Sequence, residues 1–131
     1  AGMLLGAHLA GAAIEQSMLG AAHACANPLT ARLGITHGIA VGVMLPPVVR
    51  FNCTNGDHPY AAFGVDPETL AQRIETMLKA GRLPRRLADW DVPEAILPEL
   101  AVEAAKQWTA AFNPRPVGSG ELLEIYRMAY E

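Results

Sequence analysis

Hydrophobic residues recur at helical spacing along most of this chain, and Gly, Pro and polar residues gather in the stretches between the runs. From residue 3 to residue 19, small and large apolar side chains alternate (Met3, Leu4, Leu5, Ala7, Leu9, Ala10, Ala13, Ile14, Met18), with Glu15 the one charge. The pattern predicts a buried helix. Its Gly6, Ala10, Gly11 and Ala13 would let a neighbouring axis come close, because small residues remove the spacer between helices. Asn27-Pro28 has the form of an N-cap followed by a first-turn proline, and Gly34 has the form of a helix stop. A short helix from about Pro28 to Leu33 is therefore expected, then a sharp turn, then a new helix opening at Thr36 or His37.

From His37 the run HGIAVGVMLPPVVRFN reads as an apolar helix bent or ended at Pro46-Pro47, since proline lacks the N–H and its ring crowds the preceding turn. CTNGDHPYAAFGVD is a turn-rich loop. Asp66-Pro67-Glu68 opens an amphipathic helix that sets Leu70, Ile74, Met77 and Leu78 on one face and stops at Gly81. Residues 93–111 predict one further helix, with Ile96, Leu97, Leu100, Ala104 and Trp108 inward. After the loop NPRPVGSG, a last helix from about Glu121 to Tyr130 turns Leu122, Ile125, Tyr126 and Ala129 inward. No segment alternates with period two and no repeat is visible. The expected fold class is all-α, a helical bundle forming a single domain over residues 1–131.

A length of 131 residues and a hydrophobic content of 51% allow one real core. The net charge is −3, and the ten Lys and Arg are scattered among thirteen Asp and Glu, so no basic stripe could track a phosphate backbone. A nucleic acid partner is not expected. Without a long uninterrupted apolar run or a signal peptide, neither a membrane partner nor export is expected, and the setting is read as cytoplasmic. Asn52-Cys53-Thr54 fits the glycosylation acceptor pattern and is taken as a chance match for the same reason. Cys25 and Cys53 lack C-x-x-C spacing and read as small buried or half-buried residues without a disulfide. The chain opens on apolar helix formers with no cap before them, the pattern expected of the carboxy-terminal part of something longer, with an amino-terminal partner outside these residues.

Two histidines interrupt the most apolar region. His23 and His37 lie fourteen positions apart, about 21 Å on an unbroken helix, but the turn predicted at Gly34 folds the segment back. Neutral imidazole is the commonest metal ligand, and His37 opens the helix predicted here. Two readings stand. The pair could be hydrogen-bonded core residues, or the two-His half of a metal site. His8 reads as a core or pocket-edge residue and His58 as a surface-loop residue. No H-E-x-x-H, Gly-rich phosphate loop or serine nucleophile elbow is present.

The segment GAAHACANPLTARLGITHGIAVGVMLPPVVRFN, residues 20–52, resembles the signature of the iron-containing alcohol dehydrogenases, in which a His, a turn, a His-Gly pair, Leu-Pro and a closing Asn follow in this order. NPRPVGSGELLEIYRMAYE resembles the tail of the same family. The run HGIAVGVM also resembles the dehydroquinate synthase type, but the Gly-His-Thr element of that type is missing, which ranks it lower. The resemblance covers essentially the whole chain and about the last third of a family member. It implies the all-helical carboxy-terminal domain of the dehydroquinate synthase-like and iron-containing alcohol dehydrogenase fold. NAD or NADP would be bound mainly by an amino-terminal α/β domain not found in these residues, and a metal ion would sit in the cleft between the two.

The ion so implied is Fe2+, with Zn2+ as the alternative, and the substrate a small alcohol or aldehyde. Of four expected protein ligands, two match His23 and His37. The other two, an Asp and a His on an upstream D-x-x-x-H helix, have no counterpart here. Asn27 stands where many relatives carry a further His, and Pro47 where a His is common. Asn27 can hydrogen-bond a substrate but cannot transfer a proton, and with Gly38 it is a candidate for the substrate pocket. No catalytic residue is assigned within the chain, which is expected to be inactive by itself and to belong to a homo-oligomer. The competing reading is a helical packing or partner-binding module without catalysis.

Overall fold

The computed structural model describes residues 2–131. Six helices follow one another: α1 (Gly2–Ser17), α2 (Ala21–Leu33), α3 (His37–Cys53), α4 (Pro67–Ala80), α5 (Leu97–Ala105) and α6 (Ser119–Tyr130), with short 3-10 turns in the connections. Among the described residues there is no strand, so the fold is all-α as expected. No helix among them is long and apolar enough to cross a membrane.

Helices α2, α3, α5 and α6 enclose the core, where Leu29, Met44, Phe51, Leu100, Leu122 and Tyr126 are almost completely shielded from solvent. Helix α4 packs on the outside of α3. Its entry is local chemistry read correctly from sequence: Asp66 Oδ1 accepts the Thr69 N–H at 2.9 Å, and Pro67 opens the first turn. Gly42 lets the two helices meet closely, since a Cβ there would lie 3.0 Å from Leu78 Cδ2. Arg50 locks them, with Nε and one Nη on the two oxygens of Glu68 at 2.8 Å each and the other Nη on Glu75 at 2.7 Å. Ile74 is half-buried and Leu78 buried as expected, but Met77 is 65% exposed and lies off the packed face.

Four expectations need correction. The buried helix at the start is a helix, but α1 has no buried residue, and Met3 and Leu4 are 88% and 79% exposed. An apolar pattern records a need for cover, and these residues supply none. His8 is accordingly exposed rather than a core residue. Second, Asn27-Pro28 does not start a helix, because α2 begins at Ala21 and carries Pro28 inside it. Pro28 withdraws the N–H that would meet the Ala24 carbonyl, at a cost of about 3 kcal/mol in an ordinary helix. Burial of Ala24, Cys25 and Leu29 against the core, with the Tyr126 hydroxyl donating to the Cys25 carbonyl at 2.6 Å, offsets that loss. The Gly34 stop holds, with φ at 66° and its N–H on the Thr30 carbonyl.

Third, Pro46-Pro47 does not end α3, for both lie inside a helix that continues to Cys53. Their rings are buried in the packed face, so packing outweighs the missing donors. Fourth, residues 93–111 do not form one helix. After a 3-10 turn at Glu94–Ile96, α5 ends at Ala105, and a second 3-10 turn covers Trp108–Phe112. Gln107 between them is extended, with φ −75° and ψ 122°. Its side-chain oxygen accepts from Asn27 Nδ2 at 2.9 Å. The break leaves Trp108 62% exposed, stacked edge-on against Phe112 rather than turned inward.

Candidate metal centre

The structure brings His23 and His37 together: their ring centroids stand 5.4 Å apart, tilted by 49°. Each ring hangs from the opening turn of a helix. His23 is the third residue of α2 rather than a residue preceding a shorter helix, and His37 is the first residue of α3. His23 is half-buried and His37 exposed. Burial first, and the neighbouring His37 second, hold the His23 imidazole below its ordinary value. A ring that resists protonation keeps a nitrogen lone pair free for a cation.

Asn27 lies one turn beyond His23 on the same face of α2, where residues four apart are neighbours, and its amide donates to Gln107. Gly38 is exposed beside His37, with open space where a Cβ would be. A cleft of about 520 Å³ opens beside His23, walled by Leu45, Val48, Tyr60 and Phe112. Neither Asn27 nor Gly38 lines it. His58 is exposed in the loop after α3, as read from sequence. Among the described residues no group of three His, Cys, Asp or Glu is placed to hold an ion, and the two imidazoles stand without a third such group beside them.

The residues that shape the site and were missed from sequence are amides. Asn52 and Asn113 are buried and pair reciprocally, Asn113 Nδ2 donating to Asn52 Oδ1 at 2.7 Å and Asn52 Nδ2 to Asn113 Oδ1 at 3.2 Å. Asn113 Oδ1 also accepts the Ala21 N–H at the start of α2, at 3.3 Å. Gly20 makes room, because a Cβ there would lie 3.2 Å from that oxygen. The available signal was slight: an Asn closing a long apolar run, and an Asn before Pro-Arg.

Against this geometry, the chain matches the Fe-containing alcohol dehydrogenase family, C-terminal, over residues 1–130. It belongs to that family. The 1,3-propanediol dehydrogenase of Citrobacter freundii is 33% identical over 135 residues, covering 93% of this chain and 35% of that protein. The lactaldehyde reductase of Escherichia coli (strain K12) is 28% identical, covering 98% of this chain and 37% of the relative. The chain thus spans about a third of the length of the curated relatives it matches. Among solved structures, a 1,3-propanediol oxidoreductase is similar with a TM-score of 0.73 and 28% identity, over 86% of this chain and 33% of that one. The alcohol dehydrogenase from Oenococcus oeni shares the fold, with a TM-score of 0.75 at 21% identity over 93% of this chain and 35% of its own.

Proposed function

We infer that residues 1–131 are the single helical, metal-binding domain of a longer two-domain, NAD(P)-linked alcohol dehydrogenase that interconverts a small alcohol and its aldehyde. The observation that carries this reading is the His23–His37 pair, two imidazoles 5.4 Å apart at the openings of α2 and α3. Such a pair fits a divalent ion: metal–nitrogen bonds of about 2 Å let two rings at this separation share one cation. Both Fe2+ and Zn2+ accept imidazole, with Fe2+ preferred from the family. His23 and His37 would be half of the ligands, the rest coming from residues outside this chain. The two free cysteines suit a reducing, cytoplasmic setting.

An ion held there would supply Lewis-acid polarisation of a substrate oxygen, and NAD or NADP would supply the hydride chemistry. The chain's own residues do the rest. His23 stays unprotonated because it is half-buried beside a second imidazole. Leu45, Val48 and Phe112 give the adjoining cleft apolar walls, which keep water from the reacting carbon. Asn27 is a hydrogen-bonding group and not a proton carrier. Open space at Gly38 leaves the approach to His37 clear. The test is His37→Ala in the full-length protein, which should lose bound metal and most of kcat together. Stoichiometric metal and near-normal turnover in that variant would sink the assignment and favour a helical packing module.

A further inference from the structure

His23 extends from a backbone turn that is hydrogen-bonded to a side chain ninety-two residues beyond the helix start. Ala21, two residues before His23, carries the first N–H of α2, a donor with no partner inside the helix. It donates to Asn113 Oδ1 at 3.3 Å. Asn113 is 8% exposed, and Asn52 beside it is 2% exposed.

Every polar atom of the Asn113 amide is in use. Its Oδ1 also accepts from Asn52 Nδ2, and its Nδ2 donates both to Asn52 Oδ1 and, at 2.7 Å, to the Arg115 carbonyl. Asn52 Nδ2 donates in addition to the Tyr60 hydroxyl at 2.6 Å. Arg115 anchors the loop to α3, donating to the Phe51 carbonyl at 2.8 Å while its guanidinium lies 3.9 Å from the centre of the Phe51 ring. Flipping the Asn113 amide would turn an NH2 toward the Ala21 N–H and toward Asn52 Nδ2, so the network admits one orientation. The start of α2 is thereby tied to the last turn of α3, the helix that His37 opens.

We propose that Asn113 is a positioning residue for the His23–His37 pair: locked to Asn52 and held by Arg115, it caps the first free N–H of α2 and fixes the turn from which His23 faces His37. It touches neither ion nor substrate. This rests on the reading of the two histidines as metal ligands, which it deepens. Residues that orient ligands from behind in this way commonly change metal affinity by ten- to a hundredfold when removed.

The experiment uses the full-length protein and two variants that break the same bond from opposite sides. Asn113→Ala removes the acceptor. Ala21→Pro removes the donor while placing proline at a first helical position, where its ring is tolerated after the extended Gly20, and it carries the test if Asn113→Ala does not fold. Zn2+ affinity is titrated well below each melting temperature, the ligand-field spectrum is recorded with Co2+ as the probe, and the ring separation is measured in metal-free crystals. Both variants should bind Zn2+ at least tenfold more weakly, show an altered Co2+ spectrum, and separate the rings beyond 5.4 Å. Wild-type affinity in either variant, with only the melting temperature lowered, would overturn the proposal. If the wild-type protein takes up no ion, the metal function fails by itself, and unchanged ring separation in the metal-free variants would still refute the positioning role.

Discussion

Tyr126 reaches from α6 into the middle of α2 and donates its hydroxyl to the Cys25 carbonyl at 2.6 Å. The ring is fully buried, and burial keeps the phenol protonated by pushing its ionisation well above the ordinary range. The bond lands on the turn weakened by Pro28. Tyr126→Phe preserves the ring and leaves that acceptor to its helical partner alone. The expected loss is about 1 kcal/mol of unfolding free energy, read by denaturant titration, with metal content unchanged.

Asn27 and Gln107 form one unit, because the Asn27 amide is committed to the Gln107 side chain at 2.9 Å. If Asn27 acts by bracing the turn after α5, Asn27→Ala and Gln107→Ala should produce matching losses, and the double variant should be no worse than either single one. Steady-state kinetics and melting temperatures of the three variants check this. A fall in kcat confined to Asn27→Ala would instead place Asn27 on the substrate.

The α3–α4 clamp carries a pH dependence. Arg50, by direct hydrogen bonds, holds the Glu68 carboxyl below its ordinary range. A carboxyl whose folded value is depressed adds stability that is complete above its unfolded value, about 4.3, and is lost as pH falls through the folded one. Wild type should therefore melt a few degrees above Arg50→Met at neutral pH, and the gap should close as pH falls below about 4.3. Calorimetry across that range tests it, and a gap independent of pH would mean that the arginine acts through packing alone.

The two thiols should differ in reactivity. Burial pushes the Cys25 thiol up to about 12, so it carries almost no thiolate at neutral pH and is shielded besides. Cys53 is only partly buried at the end of α3. Titration with a thiol reagent should show one group reacting in the native protein and the second only after unfolding. Two groups reacting together in the native state would contradict the packing of α2.

The parts of this structure legible in the sequence are those whose cause is local. Asp66-Pro67, Gly34 and the apolar face of α6 each carry their reason within a few residues, and each stands where the pattern put it. Pro28 read as a helix start and Pro46-Pro47 as a bend or stop because the missing N–H is a local fact, whereas the packing and the Tyr126 bond that outweigh it come from far along the chain. Lys106-Gln107 holds no Gly or Pro, so nothing announced the break after α5. His23 and His37 could be placed near each other from the Gly34 turn together with the family resemblance. The Asn52–Asn113 pair could not, because its members lie sixty-one positions apart and share no periodicity.

Helix α1 joins three glycines, Gly2, Gly6 and Gly11, to an apolar surface that buries nothing among the described residues. Each glycine costs about 1 kcal/mol of helix propensity relative to alanine, and isolated helices of this length are marginal in water. Among the described residues, then, the helical state of α1 rests on no buried side chain of its own. Its coil-to-helix equilibrium becomes a local gauge of cover: any surface that shields Met3, Leu4 and Leu9 must also supply the order of the segment, so that seating and winding of α1 are a single event.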